Sequence, residues 1–135
     1  MRRYLFDTGI AGDYINRRHG VFERAREEVA QGNRIGIGMP VLAELYFGIE
    51  LSASRERNLQ RLRVALSTLT VWPFTEAASA KYGQIAAELR RIGRTIQTPD
   101  LMIAAIALTL SNCTVVTSDT DLSAVSGLSV ENWRA

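Results

Sequence analysis

Short apolar runs alternate along this chain with longer stretches in which apolar residues recur every three or four positions. The short runs read as strands and the long ones as amphipathic helices. A strand is expected over about Arg3–Phe6, followed by a turn at Asp7-Thr8-Gly9 and a short helix through Tyr14. A helix from about Val21 to Gln31 stops at Gly32-Asn33, residues suited to helix C-termini. Arg34–Gly38 is the second strand, and Pro40 sits well in the first turn of a helix that ends over Gly48–Ser52. A polar-faced helix follows over about Ser54–Ser67, with Leu59, Leu62, Leu66 and Leu69 at helical spacing. Thr70–Trp72 forms a third strand, stopped by Pro73, and the longest helix runs from Thr75 to about Ile92. Thr98-Pro99-Asp100 predicts a helix start with a hydroxyl cap, proline at the first position and an acid in the first turn. That helix reaches about Leu110. Cys113–Thr117 and Leu128–Val130 complete the strands.

Strands separated by helices are too far apart for hairpins, so the pattern predicts an α/β fold: a central, mostly parallel sheet of four to five strands, covered on both faces. The 135 residues suit one domain over 1–135. Composition adds little to this, being 47% hydrophobic and 22% charged, as expected of a soluble globular chain. The apolar run at Leu101–Leu110 is too short to span a bilayer, no signal-peptide pattern follows Met1, and the single Cys113 cannot form an internal disulfide. A cytoplasmic protein is the expectation. Net charge is only +2, and every cation except Lys81 is arginine. Arginine suits phosphate contacts, but a GC-rich genome would give the same bias.

The informative polar residues are four acids at the ends of apolar elements: Asp7, Glu44, Asp100 and Asp119. Carboxylates beside a core are costly unless protonated, paired or bound to a cation. In parallel sheets the ligand site lies beyond the C-terminal strand edges, where strand-to-helix loops could bring all four together. With one histidine, His19, and one cysteine, a nitrogen–sulfur metal site is nearly excluded. Oxygen ligands point to Mg²⁺ or Mn²⁺. A nucleophile elbow and a phosphate loop are both missing, which leaves metal-assisted phosphodiester hydrolysis as the favoured chemistry. Thr8 and Thr117 could position a carboxylate or water through their hydroxyls. Taken singly, Asp7, Asp100 and Asp119 would serve equally well as turn, helix-start and loop acids. Glu44, with apolar flanks on both sides, is harder to place on a solvated face.

These residues carry a resemblance. Leu5-Phe6-Asp7-Thr8, Val41-Leu42-Ala43-Glu44-Leu45-x-x-Gly48, Thr98-Pro99-Asp100-x-x-Ile103-Ala104-Ala105 and Val116-Thr117-Ser118-Asp119 resemble, in order, the four motifs of PIN-domain ribonucleases. Glu56-Arg57-Asn58-Leu59, Tyr82–Leu89 and Gly127–Trp133 extend the resemblance over the chain, to VapC-type toxins of toxin–antitoxin pairs. The resemblance implies a PIN-like three-layer α/β/α sandwich and a Mg²⁺- or Mn²⁺-dependent endoribonuclease that inhibits translation. It implies Asp7, Glu44, Asp100 and Asp119 as the acidic site, with Asp7, Asp100 and Asp119 on the metal. Toxins of this pattern are similar to those that cut the anticodon stem-loop of initiator tRNA. The implied partners are a VapB-type antitoxin, operator DNA only through that complex, and a second copy of the chain in a homodimer. Two departures stand out: Gly9 occupies a position where many members carry Asn or Ser, and Asp121 competes with Asp119 as the fourth acid.

Other features are less distinctive. Arg90, Arg91 and Arg94 would hold RNA phosphates or simply end a helix with favourable charge. Leu42, Leu45, Tyr46 and Ile49 are either core or, as the resemblance suggests, part of a groove for an antitoxin helix. His19 reads as an exposed turn residue, Cys113 as a buried apolar group, and Trp72 and Trp133 as closures of the core edges. Two rival enzymes lack their signatures. A haloacid-dehalogenase-type phosphatase needs an acid at Gly9, and a receiver domain needs an acid pair and a late lysine. A catalytically inactive PIN module that only binds the antitoxin and operator DNA is the non-enzymatic alternative, and a PIN nuclease acting on another nucleic acid is the enzymatic one.

Overall fold

The computed structural model describes residues 1–135. Five strands, β1 (Arg3–Phe6), β2 (Arg34–Gly38), β3 (Thr70–Trp72), β4 (Cys113–Val116) and β5 (Ser129–Glu131), form one sheet in the order β3-β2-β1-β4-β5. Every pairing is parallel. The helices are α1 (Thr8–Asn16), α2 (Val21–Ala30), α3 (Met39–Leu51), α4 (Arg55–Leu66), α5 (Glu76–Arg91) and α6 (Thr98–Thr109). The expected α/β/α architecture is therefore present, with an entirely parallel sheet.

Strand β1 lies at the centre. The chain winds outward from it through β2 to β3, then crosses back to add β4 on its other side and β5 beyond. This reversal opens a crevice at the C-terminal ends of β1 and β4. Tyr4, Leu5 and Phe6 are consecutive and all buried, as a strand covered on both faces requires. In the register, Phe6 pairs with Ile37 on one side and Val116 on the other. The residues that follow, Asp7 and Thr117, consequently emerge side by side. Helix α6 is buried from Ile103 through Ala107, and its alanines let it lie close to its neighbours.

Boundaries differ from expectation by a residue or two, since helix ends are set by backbone partners that the sequence does not display. Helix α1 continues to Asn16 and closes on Arg17 in the left-handed conformation. Strand β5 begins at Ser129 rather than Leu128. The start of α6 is a clearer correction. Thr98 is the first helical residue rather than the cap, Gln97 occupies the cap position, and no side chain makes a capping hydrogen bond. Thr75 does cap α5, accepting from the Ala78 amide at 3.1 Å. Trp72 and Trp133 are buried at the core margins, whereas Cys113 is only half-buried. Burial pushes its thiol up to about 11, which keeps it protonated and unreactive near neutral pH. His19 is exposed, as expected, with a left-handed backbone at φ 57°. No helix is long and apolar enough to cross a membrane.

Gly36 shows how tightly β2 and β3 are packed. A Cβ there would lie 2.1 Å from the Thr70 carbonyl oxygen and 2.8 Å from the Trp72 ring. The first is backbone and cannot swing away. Gly36→Ala should therefore destabilise the fold by about 3 kcal/mol, the upper end of overpacking penalties. Urea denaturation checks this; an unchanged midpoint would contradict the packing described.

Candidate active site

The crevice at the ends of β1 and β4 holds the sequence-predicted acids. Asp7 caps α1, with Oδ1 accepting from the Ile10 amide at 2.8 Å. Its Oδ2 accepts the Thr117 hydroxyl hydrogen bond at 2.5 Å. The same Thr117 oxygen accepts from the Asp119 amide at 3.0 Å. One buried hydroxyl thus ties the first acid to the segment that carries the last, 110 residues away. Thr8, next to Asp7, donates its hydroxyl to Glu44 Oε1 at 2.6 Å and holds that carboxylate on the adjoining helix α3. Both threonines accordingly position acids, as expected.

Asp100 enters from the first turn of α6. Burial raises its pKa above the ordinary carboxylate value, and the charges of Asp119, Asp7, Glu44 and Asp121 raise it further. Asp7 is raised too, chiefly by burial, with Asp119 adding to the effect. Hydrogen bonds from Thr117 and Ile10 and the positive charge of Arg134 pull the other way. The acids therefore share one local field. Asp121 stands a step outward: its amide donates to Asp119 Oδ1 at 2.9 Å, and its carboxylate faces Arg94 at 3.6 Å. Of the three arginines expected near the site, only Arg94 makes an ion pair with one of its acids. Arg90 and Arg91 are exposed at the end of α5.

Nowhere do three His, Cys, Asp or Glu side chains converge tightly enough to enclose a metal ion. The donor chemistry nevertheless fits a hard cation. All the donors are oxygen, and the like charges that raise Asp100 would be relieved by one. Magnesium in particular is held by one or two carboxylates and retains several waters, so it does not need a closed protein cage.

Next to Thr8 and Glu44, a cavity of about 500 Å³ opens between α1, α3 and α4. Leu45 and Ile49 line it together with Arg57, Asn58, Arg61 and Leu62. The other two expected groove residues lie elsewhere. Leu42 packs on the core, and Tyr46 points outside the cavity and is 40% exposed. Arg134 is the residue that the sequence reading missed, since nothing near the terminal Trp133 marks it as a neighbour of Asp7.

A PIN-domain family model matches residues 4–128, nearly the whole fold just described. The chain belongs to the PIN-domain family. Its relatives place this PIN domain in the VapC branch. It is 34% identical to the Rickettsia felis Ribonuclease VapC2, with 96% of this chain and 97% of the relative aligned. It is 33% identical to the Shigella flexneri tRNA(fMet)-specific endonuclease VapC, over 98% and 99% of the two chains. Among solved structures, it superposes on a chain of Rickettsia felis VapBC2 bound to a promoter DNA fragment with a TM-score of 0.89. That match is 32% identical and covers 97% of this PIN domain and 98% of the other chain.

The raised carboxyls have a consequence for stability. An acid whose folded pKa exceeds its unfolded value binds more protons when folded, so stability falls as pH rises from the ordinary carboxylate value towards the raised one. Asp100→Asn should therefore raise the Tm by a few degrees at pH 7 in EDTA. The gain should vanish by about pH 2.5, well below the ordinary carboxylate value, where both states are protonated. Thermal melts at the two pH values test this; a lower Tm at pH 7 would contradict the repulsion described.

Proposed function

We propose that this PIN domain is a VapC-like toxin, a Mg²⁺- or Mn²⁺-dependent endoribonuclease that inhibits translation in the cytoplasm and is held in check by a VapB-type antitoxin. The observation that carries this reading is the hydroxyl of Thr117. It links Asp7 to the Asp119 segment at the sheet edge, where Asp100 and Glu44 share the same field. Asp7, Asp100 and Asp119 are the metal-binding acids, with Asp121 outside them on Arg94. When bound, the cation supplies an activated water and neutralises charge on the departing oxygen. Thr117 fixes the Asp7 carboxylate, and Thr8 fixes Glu44, which would orient the attacking water and take its proton. Cleavage breaks one phosphorus–oxygen bond by addition of that water.

The Shigella relative's name, a tRNA(fMet)-specific endonuclease, supports initiator tRNA as the substrate, and its anticodon stem-loop is our choice of target within that molecule. The Rickettsia VapBC2 complex bound to promoter DNA supports an antitoxin partner; in our reading this chain meets operator DNA only through that partner. The cavity lined by Leu45 and Ile49 is our choice for the antitoxin helix. The exposed Tyr46, Phe47 and Leu51 on α3 offer an apolar surface suited to a homodimer. Arg94, beside Asp121, is our choice to meet RNA phosphate, and Arg90 and Arg91 would extend that patch along the RNA.

Asp7→Asn should cut cleavage of a synthetic anticodon stem-loop at least about 100-fold while leaving the melting temperature intact, since asparagine caps a helix as well as aspartate does. EDTA should do the same to the unaltered protein. The reading is wrong if cleavage survives either treatment. Antitoxin binding by a protein that never cuts RNA would instead favour the inactive module.

A further inference from the structure

The last residues of the chain cross back over the start of it. Trp133 is buried, its ring 4.9 Å from Tyr4 and 5.4 Å from Phe6. Two residues later the Ala135 amide donates to the His19 carbonyl at 2.9 Å. Between these two anchors, Arg134 reaches α1 and donates from Nε to Asp13 Oδ2 at 2.7 Å. Asp13 is only 4% exposed. Its other oxygen has just His19 Nε2 at 4.0 Å, so Arg134 is the principal charge partner of a buried carboxylate.

This bond occupies Nε alone. Neither Nη group has a protein acceptor, and the Arg134 side chain remains 36% exposed. One of these free donors, Nη2, stands beside the acidic site. A point one bond above Gly9 lies 3.5 Å from Arg134 Nη2 and 3.7 Å from Asp7 Oδ1, and Gly9 leaves it empty. A loose arginine so near a carboxylate would fold onto it. Arg134 forms no ion pair with Asp7, because Asp13 holds it from behind. A guanidinium fixed through one nitrogen, with its other two unpaired and Nη2 beside an open edge, is preorganised to bind phosphate oxygens.

We propose that Arg134 is a phosphate-binding residue of the acidic site, with Asp13 as its positioning residue. Its Nη groups take the non-bridging oxygens of an RNA backbone phosphate in the opening over Gly9. The proposal rests on the ribonuclease reading above and names a substrate contact within it.

The experiment uses the full chain and a synthetic anticodon stem-loop RNA. Cleavage is followed kinetically, and RNA binding is measured against salt in an Asp7→Asn background that cannot cut. Arg134→Gln should raise KM about tenfold, as expected for loss of one charge-assisted hydrogen bond, with a smaller change in kcat. The slope of log Kd against log salt should fall by roughly 0.7 to 0.9, one phosphate's share. Because the single change strands the buried Asp13, the double variant Asp13→Asn/Arg134→Gln is measured beside it. It leaves a neutral amide pair there and should show the same lost slope at a near-normal Tm. A merely structural Arg134 would lower the Tm and leave the slope untouched in both variants, which would overturn the proposal. If the unaltered protein neither cuts nor binds the RNA, the ribonuclease reading itself falls, and the proposal with it.

Discussion

The parallel pairing of β1 between β2 and β4 is the constraint on which the site depends. It sets Phe6 level with Val116, so the next residues, Asp7 and Thr117, leave the sheet together. One hydroxyl then suffices to join them, and Asp119 follows two residues on. The strand is held in place by burial on both faces rather than by its length, which is only four residues. Its side chains pack under α1 and against Trp133, and the same packing aims the α1 N-terminus at the crevice. Core and site are therefore one arrangement, and a slip in register would displace the acids as a group.

The crevice collects negative charge at a cost to stability that the fold tolerates through a few local bonds. Asp7 receives an amide and a hydroxyl hydrogen bond, and Glu44 receives a hydroxyl. Asp121 faces Arg94. Asp100 has no such donor: burial raises its pKa, and the charges of its neighbours raise it further. Perturbed carboxyls gathered at a strand edge are a common signature of function, because stability alone would not retain them.

Much of this was visible in the sequence because buried parallel strands are short and uniformly apolar, so an acid at their end stands out. Asp7 and Asp119 drew attention in this way, Glu44 by the apolar residues on both sides of it and Asp100 by opening an apolar helix, and the strand positions were legible for the same reason. The start of α6 was misread because Thr98-Pro99-Asp100 has the composition of a cap, but a cap is defined by backbone angles, and Gln97 holds them. Asp13 and Arg134 were invisible for a different reason. Gly12-Asp13-Tyr14 looks like an ordinary exposed turn of helix, and Asp13 is buried only because the terminal segment is laid across it. Leu42 and Tyr46 share a helix with Leu45 and Ile49, but which side meets the cavity depended on where α4 came to rest. Contacts between distant segments leave no periodic trace.

The bond between Thr117 and Asp7 spans 110 positions and that between Arg134 and Asp13 spans 121. Such contacts are costly in loop closure and form late. During synthesis the N-terminal acids are made first, but β4 must be released before Asp7 acquires its neighbour, and the final residues before Arg134 does. The ribosome tunnel therefore acts as a timer: until β4 and the segment after it emerge, a growing chain carries only half of the crevice.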